Sequence, residues 1–98
     1  MAYIGKVEVS SSWSSLESLI QAQIDGQSAF AFDGSKTYSL QSEEGTFRAC
    51  DTSTTPTSNV DGEHIDEKQT AIYQPDSTLY VRSNTKSGVC LVSVSELG

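Results

Sequence analysis

The chain has 98 residues, with 13 acidic residues against 6 lysines and arginines, and its formal net charge is −7. This length supports one domain, residues 1–98, around a single hydrophobic core. An acidic chain repels a phosphate backbone, and the basic residues form no stripe along the sequence, so neither nucleic acid nor an anionic membrane is an expected partner. There is also no long apolar run and no basic-then-apolar leader, so we expect neither a membrane span nor a secretory signal.

The chain opens with an alternating pattern that is typical of a β-strand. Over Ala2–Val9 the apolar residues are Ile4, Val7 and Val9, and charged residues alternate with them towards the end of the segment. Since successive side chains of a strand point to opposite faces, this pattern predicts a strand with one buried face.

The next segment predicts one short helix, over about Ser15–Asp25. Ser14 followed by Glu17 matches a capping box, in which the serine accepts from a helical N–H and the glutamate reaches back. Gly26 is placed to end the helix in a left-handed conformation. The helical spacing of four apolar residues predicts a stripe that packs against a sheet; they are Leu16, Leu19, Ile20 and Ile24.

Two pairs of strand-like segments are separated by turn residues and predict two hairpins. In the first pair, SAFAF and KTYSLQ flank Asp33-Gly34, a dipeptide that favours a tight turn with positive φ. In the second pair, QTAIYQ and TLYVRS flank Pro75-Asp76.

The remaining segments complete a rhythm of short strands and turns. A turn at 43–45 precedes TFRACD, a Ser/Thr/Pro loop follows at 52–59, and residues 60–68 are expected to form a turn with a short edge segment. After a turn at 84–88 comes the closing run VCLVSVSE, which is uncharged until Glu96 and needs cover from a partner or from a second sheet. The predicted fold is mainly β: a small antiparallel sandwich or barrel with one short N-terminal helix, which lies across a sheet or an open end.

His64 and its acidic neighbours are the only group that resembles a site for a metal or for acid–base chemistry. A zinc site takes three or four converging ligands, and a calcium-binding EF-hand loop has a defined ligand spacing that this segment lacks. There is also no Gly-x-Ser-x-Gly turn and no phosphate-binding glycine loop. We therefore predict no catalytic, metal or cofactor residue, and we interpret the segment as a solvated acidic loop; its carboxylates are Asp61, Glu63, Asp66 and Glu67.

The aromatic residues and the two cysteines have structural interpretations. A sugar-stacking platform is an alternative for the aromatics, but within strands they commonly fill a sheet face, and Trp13 is expected to hold the helix entrance to the core. The tyrosines are Tyr3, Tyr38, Tyr73 and Tyr80. Cys50 and Cys90 lie in strand-like runs and are expected to be reduced, with one bridge between neighbouring strands as the alternative.

The order of these elements resembles that of small structural proteins of tailed bacteriophages. The residues that carry the resemblance are the strand-like start, Trp13 before the Leu16/Leu19/Ile20 stripe, FAFDGSKTYSLQ, the loop with Pro56, Asp61-Gly62, and the terminal LYVRSNTKSGVCLVSVSEL. The resemblance implies a virion protein, assembled in the cytoplasm of a bacterial host, that binds other virion proteins through a β-rich surface, often as a homo-oligomer.

Three hypotheses follow, and none of them is an enzyme. The first is a capsid decoration or stabilisation protein that binds the major capsid protein of the head shell. The second is a neck, tail or fibre-associated virion protein, and the third is a carbohydrate-binding or adhesive β-module.

Overall fold

The computed structural model describes residues 2–58, 61–85 and 88–98. The residues in these ranges form eight strands and one helix. In chain order the elements are β1 (Ala2–Ser10), β2 (Ser14–Ser15), α1 (Leu16–Gln23), β3 (Tyr38–Glu44), β4 (Phe47–Thr52), β5 (Glu63–Ile65), β6 (Thr70–Tyr73), β7 (Thr78–Ser83) and β8 (Val89–Glu96). The predicted class, mainly β with a short N-terminal helix, is confirmed.

The strands form two antiparallel sheets that pack face to face. Sheet A has the order β1-β8-β3-β6, and sheet B has the order β2-β7-β4-β5. The antiparallel pairs β1–β8, β2–β7, β3–β6 and β4–β5 show that the first half of the chain runs against the second half, like a long hairpin rolled into two sheets. This pairing corresponds to an eight-stranded jelly roll, so of the two predicted architectures the sandwich is the one formed.

The hydrophobic core lies between the inner faces of the two sheets. Alternate residues of each strand point inwards, as predicted for the first strand, where Val7 and Val9 are completely buried. The core consists of Val7, Val9, Leu16, Ile20, Tyr38, Leu40, Phe47, Ala49, Ile65, Ala71, Leu79, Val81, Cys90, Val92 and Val94. The closing strand β8 lies between β1 and β3, so its inner face is covered by sheet B rather than by a second protein.

Helix α1 closes the side of the sandwich where β1 and β2 form the edges of the two sheets. It packs against β1, β2 and β7, and its Leu16 and Ile20 are completely buried. The predicted stripe therefore does bury against the sheets, although the helix lies along an open side between them rather than on the face of one. In the described ranges no helix has both the length and the apolar character needed to cross a membrane.

Both ends of α1 differ from the prediction. The N-cap is Ser15, whose Oγ accepts from Ser18 N at 3.4 Å, one residue later than the predicted Ser14. The expected capping box is wrong, since the carboxylate of Glu17 accepts from Phe32 N at 3.0 Å instead of reaching back. The helix ends at Gln23, two residues before the predicted end at Asp25.

The first predicted hairpin is wrong. Strand β3 begins at Tyr38, but the SAFAF segment is irregular and its backbone bonds to helix side chains rather than to β3. The side-chain amide of Gln21 donates to Phe30 O at 2.7 Å, and the Phe32 ring packs edge-on against Tyr38 with centroids 4.8 Å apart. A turn does form at Asp33, with Lys36 N donating to Asp33 O at 3.0 Å, and Gly34 does not need positive φ there.

The second predicted hairpin is also wrong, although both of its strands exist. β6 belongs to sheet A and β7 to sheet B, so the link between them crosses from one sheet to the other. This crossing is held by Asp51 of β4, whose carboxylate accepts from Asp76 N at 2.8 Å and from Ser77 N at 2.9 Å. A local turn signal identified the end of a strand here, but not its pairing partner.

The short edge segment predicted within 60–68 is confirmed as β5, at the edge of sheet B. The predicted loop at 52–59 is irregular over residues 53–58, while Thr52 ends β4. Asn59 and Val60, and also Lys86 and Ser87 of the predicted turn at 84–88, lie outside the described residues.

Candidate functional site

The acidic segment around His64 lies at the exposed edge of sheet B. His64 Nε2 is 2.9 Å from Asp66 Oδ1, and Asn84 Nδ2 is 3.4 Å from His64 Nδ1. Glu63 points the other way and accepts a hydrogen bond from the hydroxyl of Tyr73 in β6. In residues 2–58, 61–85 and 88–98, no group of three or more His, Cys, Asp or Glu side chains is placed to hold a metal ion.

The bond between Tyr73 and Glu63 joins the two sheets on the side opposite α1. Burial, and after it the hydrogen bond to Glu63, raises the pKa of Tyr73 well above its ordinary value. The phenol therefore remains protonated and donates to the carboxylate. Tyr73 and Glu63 therefore link the two sheets at this side of the sandwich. His64 contacts Asp66 instead, so Glu63 and His64 do not form one site.

The two cysteines lie in different sheets and neither is part of a disulfide. Cys90 is completely buried in the core, with its Sγ 3.7 Å from Ser42 Oγ. Cys50 is half-buried on the outer face of sheet B. Burial raises the pKa of the Cys90 thiol, so this sulfur is both inaccessible and poorly ionised.

The positions of the cysteines predict different reactivities. With a thiol-specific reagent at pH 8, we expect Cys50 to react in the folded protein and Cys90 to react only after denaturation. Mass spectrometry of tryptic peptides, with and without urea and without reductant, measures both. Equal labelling rates of the two cysteines in the folded protein would contradict the burial of Cys90. If neither cysteine were labelled in urea, the two would be joined in a disulfide, which would contradict the structure.

A segment of the chain folds over the outer face of sheet B. We call residues 53–58 and 61–62 the cover loop. Trp13 Nε1 donates to Ser58 O at 2.9 Å, and Thr55 Oγ1 donates to the Tyr80 hydroxyl at 3.2 Å. Trp13 thus holds the cover loop rather than joining the helix entrance to the core, and with Tyr80 it is only partly exposed.

The far end of the cover loop is held by an arginine that sequence reasoning did not single out. Arg48 Nη1 donates to Gly62 O at 3.3 Å. In the sheet, Arg48 lies directly opposite both Arg82 and His64, so residues that are distant in sequence form one basic row on this outer face. The alternation of buried and exposed residues in β4 could have placed Arg48 on an outer face. Its alignment with Arg82 and His64 follows only from the register of the sheet.

The outer face of sheet A has a different composition, with a row of uncharged residues that runs across all four strands. The register aligns Tyr3, Ser95, Ser39 and Ile72 in one row across all four strands. We call these four residues the serine row. Its two ends are well exposed, Tyr3 at 62% and Ile72 at 63%, and none of its members is charged.

The next row across sheet A is also mostly uncharged. It contains Lys6, Ser93, Gln41 and Thr70. The central positions of the two rows are three serines and Gln41, and exposed apolar side chains mark the margins of the face, including Val89 at 47% exposure. The outer face of sheet A is therefore the candidate interaction surface.

A small cleft lies where α1 begins, at one end of the sandwich. It holds about 160 Å³ and is lined by Ser15, Glu17, Phe32, Ser77, Thr78 and Leu79. Ligand sites for drug-sized molecules are larger, at roughly 300–1,000 Å³. The carboxylate of Glu17 is already bonded to Phe32 N, and the other lining side chains bring no second carboxylate or imidazole beside it.

The structure therefore defines the chain as an eight-stranded jelly-roll sandwich with an uncharged serine row across the outer face of sheet A. Comparison with protein-family models, with curated protein sequences and with solved structures finds no match.

Proposed function

We propose that this protein is a structural virion protein of a tailed bacteriophage, a capsid decoration or stabilisation protein that docks on the head shell. The observation that carries the proposal is the serine row, an uncharged row that crosses the whole outer face of sheet A in a chain of net charge −7. The docking surface is this face, and its partner is the major capsid protein.

The chemistry of the face favours a protein partner. Adjacent strands are roughly 4.8 Å apart, so a row across four strands spans about 14 Å. Burying serine hydroxyls and a tyrosine costs less than burying carboxylates or ammonium groups, because charged groups are the most expensive to remove from water. Interface cores are depleted of Lys, Glu and Asp, and also of Ser, and they are enriched in tyrosine, so Tyr3 is the residue of this row that best matches their composition.

The two outer faces of the sandwich also differ in availability. The cover loop already lies on sheet B, where it is bonded to Trp13, Tyr80 and Arg48. Sheet A has strongly exposed apolar side chains at both margins, which is the kind of surface at which proteins associate. By analogy of fold, jelly rolls recur in viral capsid proteins, although a fold by itself does not define a function.

The docking face can be tested by a charge placed at one end of the serine row. Incorporation of Tyr3→Asp into virions is expected to fall by about tenfold or more, because a carboxylate would be buried against the shell. Thr57→Asp is the matched control, since it adds the same charge to the exposed cover loop on the other sheet. Copies per particle are counted by quantitative mass spectrometry of purified virions.

Equal incorporation of both variants would overturn the assignment of the face. Electron microscopy of the same virions separates the two virion hypotheses. Copies that follow the symmetry of the shell support the decoration protein, and copies restricted to one vertex or to the tail support a neck, tail or fibre-associated protein.

A carbohydrate-binding module is the second candidate, favoured by the cleft at the start of α1. Phe32 supplies an aromatic wall there, and Ser15, Ser77 and Thr78 supply hydroxyl groups. Binding on a glycan array that is abolished by Thr78→Val, with incorporation into virions unaffected by Tyr3→Asp, would favour this function over docking on a shell.

A further inference from the structure

The four edge strands of the sandwich differ in how they are protected from pairing with another chain. An edge strand exposes N–H and C=O groups that a neighbouring strand can bind, and proteins protect such edges with charges, short strands or covering groups. The edges are β1 and β6 in sheet A, and β2 and β5 in sheet B. Three of these four have such protection.

At the edge of β1, the helix supplies a covering group. The side-chain amide of Gln23 accepts from Glu8 N at 2.7 Å and donates to Glu8 O at 2.9 Å, so it occupies both groups as a paired strand would. Strand β1 also carries the charged Lys6 and Glu8. Strand β5 carries Glu63 and His64, and β2 is only two residues long.

Strand β6 has neither a charge nor a covering group. Its sequence is Thr-Ala-Ile-Tyr, and it pairs with β3 through the register Leu40↔Ala71. Ser42 N donates to Gln69 O at 3.1 Å. Because hydrogen-bonded pairs alternate along an antiparallel ladder, the backbone N–H and C=O of Ala71 face β3, and those of Thr70 and Ile72 face away from the sheet. Within the described ranges, the backbone groups of Thr70 and Ile72 have no hydrogen-bond partner.

We propose that two copies of the chain pair antiparallel through β6 about a two-fold axis. Thr70 of one copy then lies opposite the partner's Ile72, and Ile72 lies opposite the partner's Thr70. Each of these is a hydrogen-bonded pair of an antiparallel ladder, so the two pairs form four backbone hydrogen bonds across the axis. The two copies of sheet A become one eight-stranded sheet with a continuous outer face.

The strand β6 is itself uncharged and can pair with a second copy of itself. Two chains of net charge −7 repel one another, and β6 is an edge at which they can meet without facing charges. The free backbone groups belong to residues i and i+2 of the strand. Two copies related by a two-fold axis can therefore bind the same groups in each other.

The pairing is tested with the purified chain by sedimentation velocity over a range of concentrations. We expect a monomer–dimer equilibrium for the wild type, and a dissociation constant about tenfold or more higher for Ile72→Lys, because an edge lysine opposes strand pairing. Ser10→Lys is the matched control, since it adds the same charge to the outer face at the opposite edge of sheet A. The control is expected to dimerise like the wild type.

Ile72→Pro gives a second test that does not depend on an added charge. Its missing N–H is the one that faces outwards, so the ladder with β3 keeps its hydrogen bonds while the contact between copies loses two. Amide hydrogen exchange gives a local readout: Thr70 and Ile72 are expected to be protected in the dimer and to exchange rapidly in a monomeric variant that remains folded by circular dichroism.

A wild type that remains monomeric at all concentrations would overturn the proposal. So would a dimer that survives both Ile72 variants, or one that Ser10→Lys weakens to the same extent. Tyr3→Asp lies at the other edge of sheet A and is expected to leave the dimer intact, so failure of the pairing and failure of the docking face give different results.

Discussion

Replacing Gly62 with alanine is expected to lower the free energy of unfolding by about 2–4 kcal/mol, from backbone strain and overpacking together. Gly62 has a φ of 77°, in the left-handed region that favours glycine. A Cβ there would lie inside van der Waals contact of the carbonyl oxygen of Ala49 and 2.9 Å from its carbonyl carbon. Since both atoms belong to the backbone of β4, the cover loop would have to move away from sheet B.

Gly26→Ala is the matched control for this prediction. Gly26 has a φ of 80°, almost the same as Gly62, but a Cβ there would meet nothing within 4 Å. It should therefore lose only the strain of a left-handed alanine, roughly 1–2 kcal/mol. Urea unfolding measures both variants, and equal losses would contradict close packing of the cover loop.

The emission of Trp13 reports on the same loop in the folded state. Trp13 is the only tryptophan, and its indole N–H is bonded to Ser58 O within the cover loop. If Gly62→Ala displaces the loop, the emission of the folded variant should shift to longer wavelength as the indole meets water. Gly26→Ala should leave the spectrum unchanged.

Replacing Ile20 with alanine is expected to lower the free energy of unfolding by about 2–5 kcal/mol. Ile20 is completely buried where α1 closes the sandwich, so its removal leaves a cavity between the helix and the two sheets. Domains of this size are stabilised by only about 5–15 kcal/mol in total, so the loss is a large fraction of the whole.

Leu19→Ala is the comparison for the helix. Leu19 precedes Ile20 on the same helix but is only partly buried, so a smaller loss is expected, on the order of 1 kcal/mol. Thermal and urea unfolding of the two variants gives the difference. Losses of equal size would mean that α1 does not dock through the buried positions.

Local patterns in the sequence identified the elements better than their arrangement. The alternation of Val7 and Val9 predicted β1, and the spacing of Leu16 and Ile20 predicted α1 and its buried side. The predicted N-cap, Ser14, was one residue too early, because a serine at either position can accept a hydrogen bond from the first turn of the helix. Both Ser14 and Ser15 precede the apolar stripe and both pair with β7, and the hydrogen bond from Ser18 N to Ser15 Oγ identifies Ser15 as the cap.

The predicted hairpins failed because a turn signal does not specify which strand follows in the same sheet. Pro75-Asp76 does end β6, but the carboxylate of Asp51 binds the backbone of the link and directs the chain to sheet B. In SAFAF, Phe30 and Phe32 resembled one face of a strand. Their backbones instead bind the side chains of Gln21 and Glu17, which depends on where the helix lies relative to this segment.

The sequence by itself determined the class of the fold, the position of the helix and most of the strands. These depend on the alternation of side chains and on turn residues, which act over a few neighbouring positions. Only the tertiary structure decided that β1 pairs with β8, that the cover loop lies on sheet B, and that the serine row and the edge of β6 remain uncovered. Such features depend on contacts between residues that are distant in the chain, and their register follows from the packing of the whole core.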